Sequence, residues 1–116
     1  MSAPENHQER DELFDDASGD LAIGDLEDAI AKYRRCVELD PDFFDGWHAL
    51  GLTLMKQGEL KSAIGAGLQA TTLRPNDQLA WTALSQMYVQ NGQIAEAETA
   101  KQNATILGIG GKIVKE

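Results

Sequence analysis

Cysteine occurs once in this sequence, so no internal disulfide can staple the fold, and a reducing, cytoplasmic compartment is the expectation. Only two histidines are present, His7 in a polar stretch and His48. No paired-histidine zinc motif, nucleophile elbow or phosphate loop appears, so neither an enzyme nor a cofactor is expected. No run approaches the roughly 18 apolar residues of a membrane span. The opening stretch MSAPENHQERDE also lacks the apolar segment of a secretory signal. Membrane insertion is therefore not expected. Basic residues are few, 10 against 19 acidic ones, for a net charge of −9. The deficit is local. Residues 1–45 hold fourteen acidic and four basic side chains, a balance of −10, and residues 46–116 hold five and six, a balance of +1. A field of that sign repels phosphate backbones and disfavours nucleic acid, while it could draw in a basic partner.

What the chain does have is a repeat. Shifted by 34 residues, the sequence aligns with itself. Gly24, Gly58 and Gly92 share a column, followed by Leu26, Leu60 and Ile94, then Ala29, Ala63 and Ala97, and Leu39, Leu73 and Leu107. Trp47 matches Trp81, Leu50 matches Leu84 and Pro41 matches Pro75. Each unit reads as two helices and a turn. In the second unit Trp47, Leu50, Gly51 and Leu54 fall at i, i+3, i+4 and i+7, one helical face. Gly58 ends that helix because glycine accepts a positive φ. Leu60, Ala63, Ile64 and Ala70 give the next helix its inner face, and Pro75 stops its continuation.

Trp47, Leu50, Gly51, Leu54, Gly58, Ala63, Ala70 and Pro75, repeated as Trp81, Leu84, Ser85, Tyr88, Gly92, Ala97 and Ala104, resemble the tetratricopeptide repeat (TPR) signature. The first unit keeps Gly24, Ala29, Tyr33, Leu39 and Pro41. The resemblance covers about residues 10–109. It implies an all-α fold, a right-handed α-α superhelix of three helix-turn-helix repeats with six main helices. The repeats are expected at 10–41, 42–75 and 76–107, flanked by a flexible acidic tail over 1–9 and a C-terminal tail over 108–116. Glu98 and Lys101 stand where Ile30/Ile64 and Tyr33 stand earlier, which reads the sixth helix as a cap. In the tail, Ile109, Ile113 and Val114 either fold back on the last repeat or dock elsewhere.

Two departures from the pattern matter. In strict register Asp16 and Asp20 occupy the columns of Leu50/Leu84 and Leu54/Tyr88, and burying them unpaired would cost several kcal/mol each, roughly. A one-residue slip, with Phe14, Ala17 and Leu21 inward and a shorter first turn, is the expectation. The second departure is Gly65 and Gly67 in the fourth helix, each costing about 0.5–1 kcal/mol relative to alanine; that helix is expected to be the softest.

The resemblance also implies a function: protein–protein interaction, as an adaptor or scaffold, with a peptide or partner surface held in a concave groove lined by the first helix of each pair. The third helix has a second apolar stripe, His48, Leu52 and Met55, beyond the one its core needs. The fifth places Thr82, Gln86 and Val89 at equivalent positions. Asp45, Lys56 and Gln90 rim the groove. Some members of the family clamp the terminal carboxylate of a chaperone tail with basic and amide side chains. The matching places here hold Phe14 and Ser18 (Asp15 and Gly19 after the slip), Ala49, Leu79 and Ala83, which cannot do so, and the ligand is expected to be apolar or basic. Two rivals stay open. The solenoids could self-associate as homo-oligomers through the same surface. Asp16, Ser18, Asp20, Ile23 and Glu27 also imitate part of a calcium loop, without the glycine at Leu21 that its turn needs.

Overall fold

A computed structural model of the chain describes residues 7–115. The described residues form six helices: α1 (Gln8–Ala22), α2 (Leu26–Leu39), α3 (Phe44–Gln57), α4 (Leu60–Leu73), α5 (Gln78–Gln90) and α6 (Ile94–Gly108). They pack as three antiparallel pairs, α1 with α2, α3 with α4 and α5 with α6, and α2 passes to α3 and α4 to α5 in series. The architecture is the all-α solenoid expected from the repeat. Residues 1–6 of the supposed flexible tail lie outside the described residues, and Gln8 and Glu9 belong to α1. Among the described residues, no helix is long and apolar enough to cross a membrane.

The 34-residue columns have mechanical reasons. Gly24, Gly58 and Gly92 take φ values of 82°, 85° and 77°, which only glycine adopts cheaply. Their N–H groups donate to Leu21, Met55 and Val89, and the next N–H groups, of Asp25, Glu59 and Gln93, donate to Asp20, Leu54 and Tyr88. The two tryptophans fix the other turn: Trp47 Nε1–H donates to the Pro41 carbonyl (2.7 Å) and Trp81 Nε1–H to that of Pro75 (2.8 Å). In the glycine column of the signature, Gly51 lets α3 approach the Ala63 carbonyl, while Ser85 is buried and donates to the equivalent carbonyl of Ala97 at 2.9 Å. That bond offsets the cost of burying its hydroxyl.

The first turn corrects the expected slip. Its hydrogen bonds are those of the other two turns, so α1 keeps the strict register and the turn is not shorter. Phe14, Ala17 and Leu21 nonetheless face the core, and Ala17 is fully buried. Asp16 and Asp20 avoid the cost because no helix among the described residues packs on that side of α1. Asp16 is exposed, and Asp20 accepts from Lys32 Nζ at 2.6 Å.

The two glycines of α4 differ. A Cβ on Gly65 would meet nothing within 4 Å. One on Gly67 would lie 3.0 Å from Met87 Sδ and 3.2 Å from Leu84 Cδ1. Met87 is 1% exposed, and its Cε would lie 2.9 Å from a Cβ on Gly51. Its thioether occupies a slot walled by two glycines, so Gly67 is a packing residue of the α4–α5 joint.

The C-terminal tail folds back onto the last repeat, at Asn76 in the loop between α4 and α5. After Gly110 (φ 90°), Ile113 and Val114 N–H donate to Asn76 Oδ1 (2.9 and 3.0 Å), and Asn76 Nδ2–H donates to the Val114 carbonyl (2.8 Å). Ile113 is half-buried, whereas Ile109 is 82% exposed and packs on nothing substantial.

Candidate functional site

The packing distinguishes the two sides of the solenoid. Helices α3 and α5 touch directly. The second helices of the pairs stand apart across clefts. One of about 380 Å³ lies between Arg34 and Glu38 of α2 and Ser62 and Gly65 of α4, floored by Trp47 and Leu50. A second, of about 200 Å³, occupies the equivalent place one repeat on, over Trp81 and Leu84. Helices close on one side and splayed on the other make a curved stack, with the first helix of each pair on its inner side.

On that inner side α3 presents the second apolar stripe read from the sequence. His48, Leu52 and Met55 are all half-buried, Leu52 and Met55 resting on the core, and Ala49 beside them is also half-buried. The imidazole of His48 stacks on Phe44, centroids 5.6 Å apart at 11°, and the Arg74 guanidinium covers Phe44 at 4.2 Å. Burial pushes the His48 pKa down, against the opposing pull of Asp77 and Asp45. Burial thus favours the neutral ring, which has one donor and one acceptor.

On α5, Leu79 and Val89 are exposed (69% and 53%), which leaves two apolar side chains open to solvent. Thr82 is half-buried and donates to the Gln78 carbonyl at 3.0 Å, so its hydroxyl has only acceptor capacity left. Gln86 and Gln90 are exposed, as are Asp45 and Lys56 at opposite ends of α3. Ala83 is buried at 5% exposure and presents no polar group.

The first helix contributes less than its register allows. Phe14, in the column of His48 and Thr82, is committed to Tyr33 and Phe43 (centroids 5.4 and 5.3 Å). Ser18 is within hydrogen-bond distance of the Tyr33 hydroxyl (3.0 Å) and donates to the Phe14 carbonyl. These contacts also correct the calcium-loop reading. Asp16, Ser18 and Asp20 lie on a helix, where alternate residues point apart, and Ser18 and Asp20 are engaged with Tyr33 and Lys32. Among the described residues no cluster of three metal-binding side chains occurs. Sequence reasoning missed the Asn76 latch; an asparagine in the column of Asp42 gives no signal that it will hold a tail 37 residues away.

Cys36 is fully buried on α2, its Sγ within 3.4 Å of the Arg10 carbonyl, and burial pushes its pKa up to about 11. A thiol so protonated is a packing group.

Comparison with known proteins supports the same architecture. Two family models match, one described as TPR repeat over residues 20–58 and one as tetratricopeptide repeat over residues 48–110. No curated protein matches by sequence. Among solved structures, MamA of AMB-1 superposes with a TM-score of 0.84 at 24% identity, over 96% of this chain and 59% of that one. The second TPR of Spaghetti (RPAP3), bound to the HSP90 peptide SRMEEVD, gives 0.83 at 20% identity over 88% and 94%. The Yersinia enterocolitica type III secretion chaperone SycD, in complex with a peptide of the translocator YopD, gives 0.80 at 22% over 84% and 74%. The chain spans about 60% of the MamA chains and 58% of the one matched in a CopN–Scc3 complex. Repeats of this kind are protein–protein interaction modules rather than typical enzymes. With matching models that together run from residue 20 to residue 110, the chain belongs to the tetratricopeptide repeat family.

Proposed function

We propose that this protein holds an apolar or basic peptide segment of a partner against the inner face of α3 and α5. The observation that carries the reading is the second apolar stripe of α3, with Leu52 and Met55 half-buried by the core yet still open to solvent, continued on α5 by exposed Leu79 and Val89. A helix packed on one side needs only one such stripe. Methionine adapts its shape to varied apolar ligands. The polar groups around it set the ligand's charge. Asp45, in the first turn of α3, favours a cation, whereas Lys56 stands in the last turn of the helix.

The RPAP3 domain is bound to an acidic peptide. The places that would have to meet such a ligand's carboxylate here are Ala49, Leu79 and Ala83, which supply no cation. A shared fold at this identity does not transfer a ligand.

Fluorescence anisotropy with two labelled peptide sets, apolar–basic and acidic, tests the reading on the wild type and on Leu52→Glu/Met55→Glu. Affinity for the apolar–basic set, lost in the double variant while circular dichroism stays unchanged, supports it. Equal binding of both proteins would move the site elsewhere.

A further inference from the structure

The two end faces of the solenoid fit each other by the register that joins its repeats. We propose that they form a head-to-tail contact between two copies, in which Lys101 of one pairs with Asp16 of the next. This inference is independent of what the inner face binds.

The α4–α5 joint supplies the template. There the Gly67 backbone faces Leu84 Cδ1 and Met87 Sδ, which would lie 3.2 and 3.0 Å from a Cβ. One repeat on from Gly67 stands Lys101, on the outer face of α6. The α1 residues in the columns of Leu84 and Met87 are Asp16 and Gly19. A second copy whose α1 sat on α6 as α5 sits on α4 would bring a carboxylate to the Lys101 ammonium. It would do so over a glycine whose absent side chain leaves room, since a Cβ on Gly19 would meet nothing within 4 Å.

Both faces are open among the described residues. Lys101 lines an uncovered depression of about 410 Å³ with Gln102, Thr105 and the 40% exposed Ile106. The tail does not fill it, because the chain turns at Gly110 toward Asn76. Asp16 is exposed and makes no direct ion pair among the described residues, whereas its neighbour Asp20 is already held by Lys32. The charge asymmetry points the same way, −10 over residues 1–45 against +1 over the rest. Glu98, on the same face of α6, opposes an acidic partner and keeps the contact weak. Such a contact joins different patches, so it does not close on itself after two copies.

Sedimentation equilibrium from micromolar to millimolar protein decides the matter. The average mass of the wild type should climb with concentration without levelling at a dimer. Lys101→Glu and Asp16→Lys, both exposed and both expected to fold, should each weaken association at least about tenfold by placing like charges together. Lys101→Glu/Asp16→Lys in one chain should restore it with the charges exchanged. A wild type that stays monomeric throughout overturns the proposal. So does association indifferent to the single variants, or single losses that the double exchange fails to repair.

Discussion

Replacing Gly65 and Gly67 with alanine, one at a time, should move stability in opposite directions, although the two lie two residues apart in one helix. Alanine gains about 0.5–1 kcal/mol over glycine in a helix interior, through the entropy the unfolded chain loses. At Gly65 nothing opposes this gain, since the position is exposed and an added Cβ meets nothing within 4 Å. Gly65→Ala should therefore stabilise by about 0.5–1 kcal/mol and raise the unfolding midpoint by about 2–4 °C. At Gly67 the same gain meets Met87 Sδ at 3.0 Å and Leu84 Cδ1 at 3.2 Å. The thioether cannot simply retreat, because Gly51 walls its far end. Overpacking a filled core costs about 1–3 kcal/mol, so Gly67→Ala should leave the protein about 0–2.5 kcal/mol less stable. The background Met87→Ala isolates the cause. It costs about 2–5 kcal/mol by itself. In that background the cost of Gly67→Ala should fall towards zero or change sign, because the tighter of its two contacts is gone and Leu84 Cδ1, at 3.2 Å, has the vacated space to move into. Urea titrations followed by circular dichroism and by tryptophan fluorescence give the numbers, and coincident curves license two-state treatment. If Gly67→Ala stabilises the wild type as much as Gly65→Ala does, the glycine-walled slot is not a constraint and the reasoning fails.

Other perturbations have equally definite outcomes. Burial lowers the His48 pKa, so the folded protein binds fewer protons there than the unfolded chain. That contribution is complete above the unfolded value of about 6.5 and is lost as the pH falls through the folded pKa; His48→Gln should flatten this part of the stability profile, and an unchanged slope would refute it. Trp81→Phe removes the bond to the Pro75 carbonyl and should cost about 1–2 kcal/mol in denaturant titrations, with Trp47→Phe costing a similar amount at the equivalent turn. The Cys36 thiol, fully buried with its pKa near 11, should react with a disulfide reagent at pH 8 no faster than the protein opens, which stopped-flow absorbance in rising urea would show. Asn76→Ala deletes all three bonds to the tail and should bring the amides of Ile113 and Val114 to unprotected exchange rates while α6 stays protected.

The parts of this fold that could be read from sequence are those that a neighbouring repeat enforces. A glycine at φ near 80° ends the first helix of every pair, and an indole ties the loop before the first helix of the second and third pairs to its proline. These demands recur with the period, so 34-residue alignment reveals them, and the pairing of helices follows. Departures from the period were harder, for three separate reasons. Gly67 looked like a weakness because its partner, Met87, departs from the pattern twenty residues later; only contact shows that the small residue and the large one compensate. Asp16 and Asp20 looked like a register error because their columns, those of Leu50/Leu84 and Leu54/Tyr88, are apolar and packed on the core in the other repeats. The register holds, and among the described residues no helix packs on that side of α1. The tail does return to the last repeat, but its place there is set by backbone groups that the Asn76 side chain satisfies and not by its apolar residues, and backbone groups are the same in every sequence.

The same logic governs the inner face. Its apolar stripe on α3 is visible in the sequence because Leu52 and Met55 exceed what a core-facing helix requires. The sequence could not show that Phe14 and Ser18, in register with His48 and Leu52, are drawn into contacts with Tyr33. Tyr33 is present in the first repeat alone, replaced by Gly67 and Lys101 in the others. One large side chain on α2 thereby engages two inner-face positions of α1, so the free apolar surface is centred on α3 and α5 and not spread evenly over three helices. A ligand that spans the whole groove would have to displace those contacts. One that reads α3 and α5, as in the function proposed above, would not, so that proposal favours a short segment over a long one.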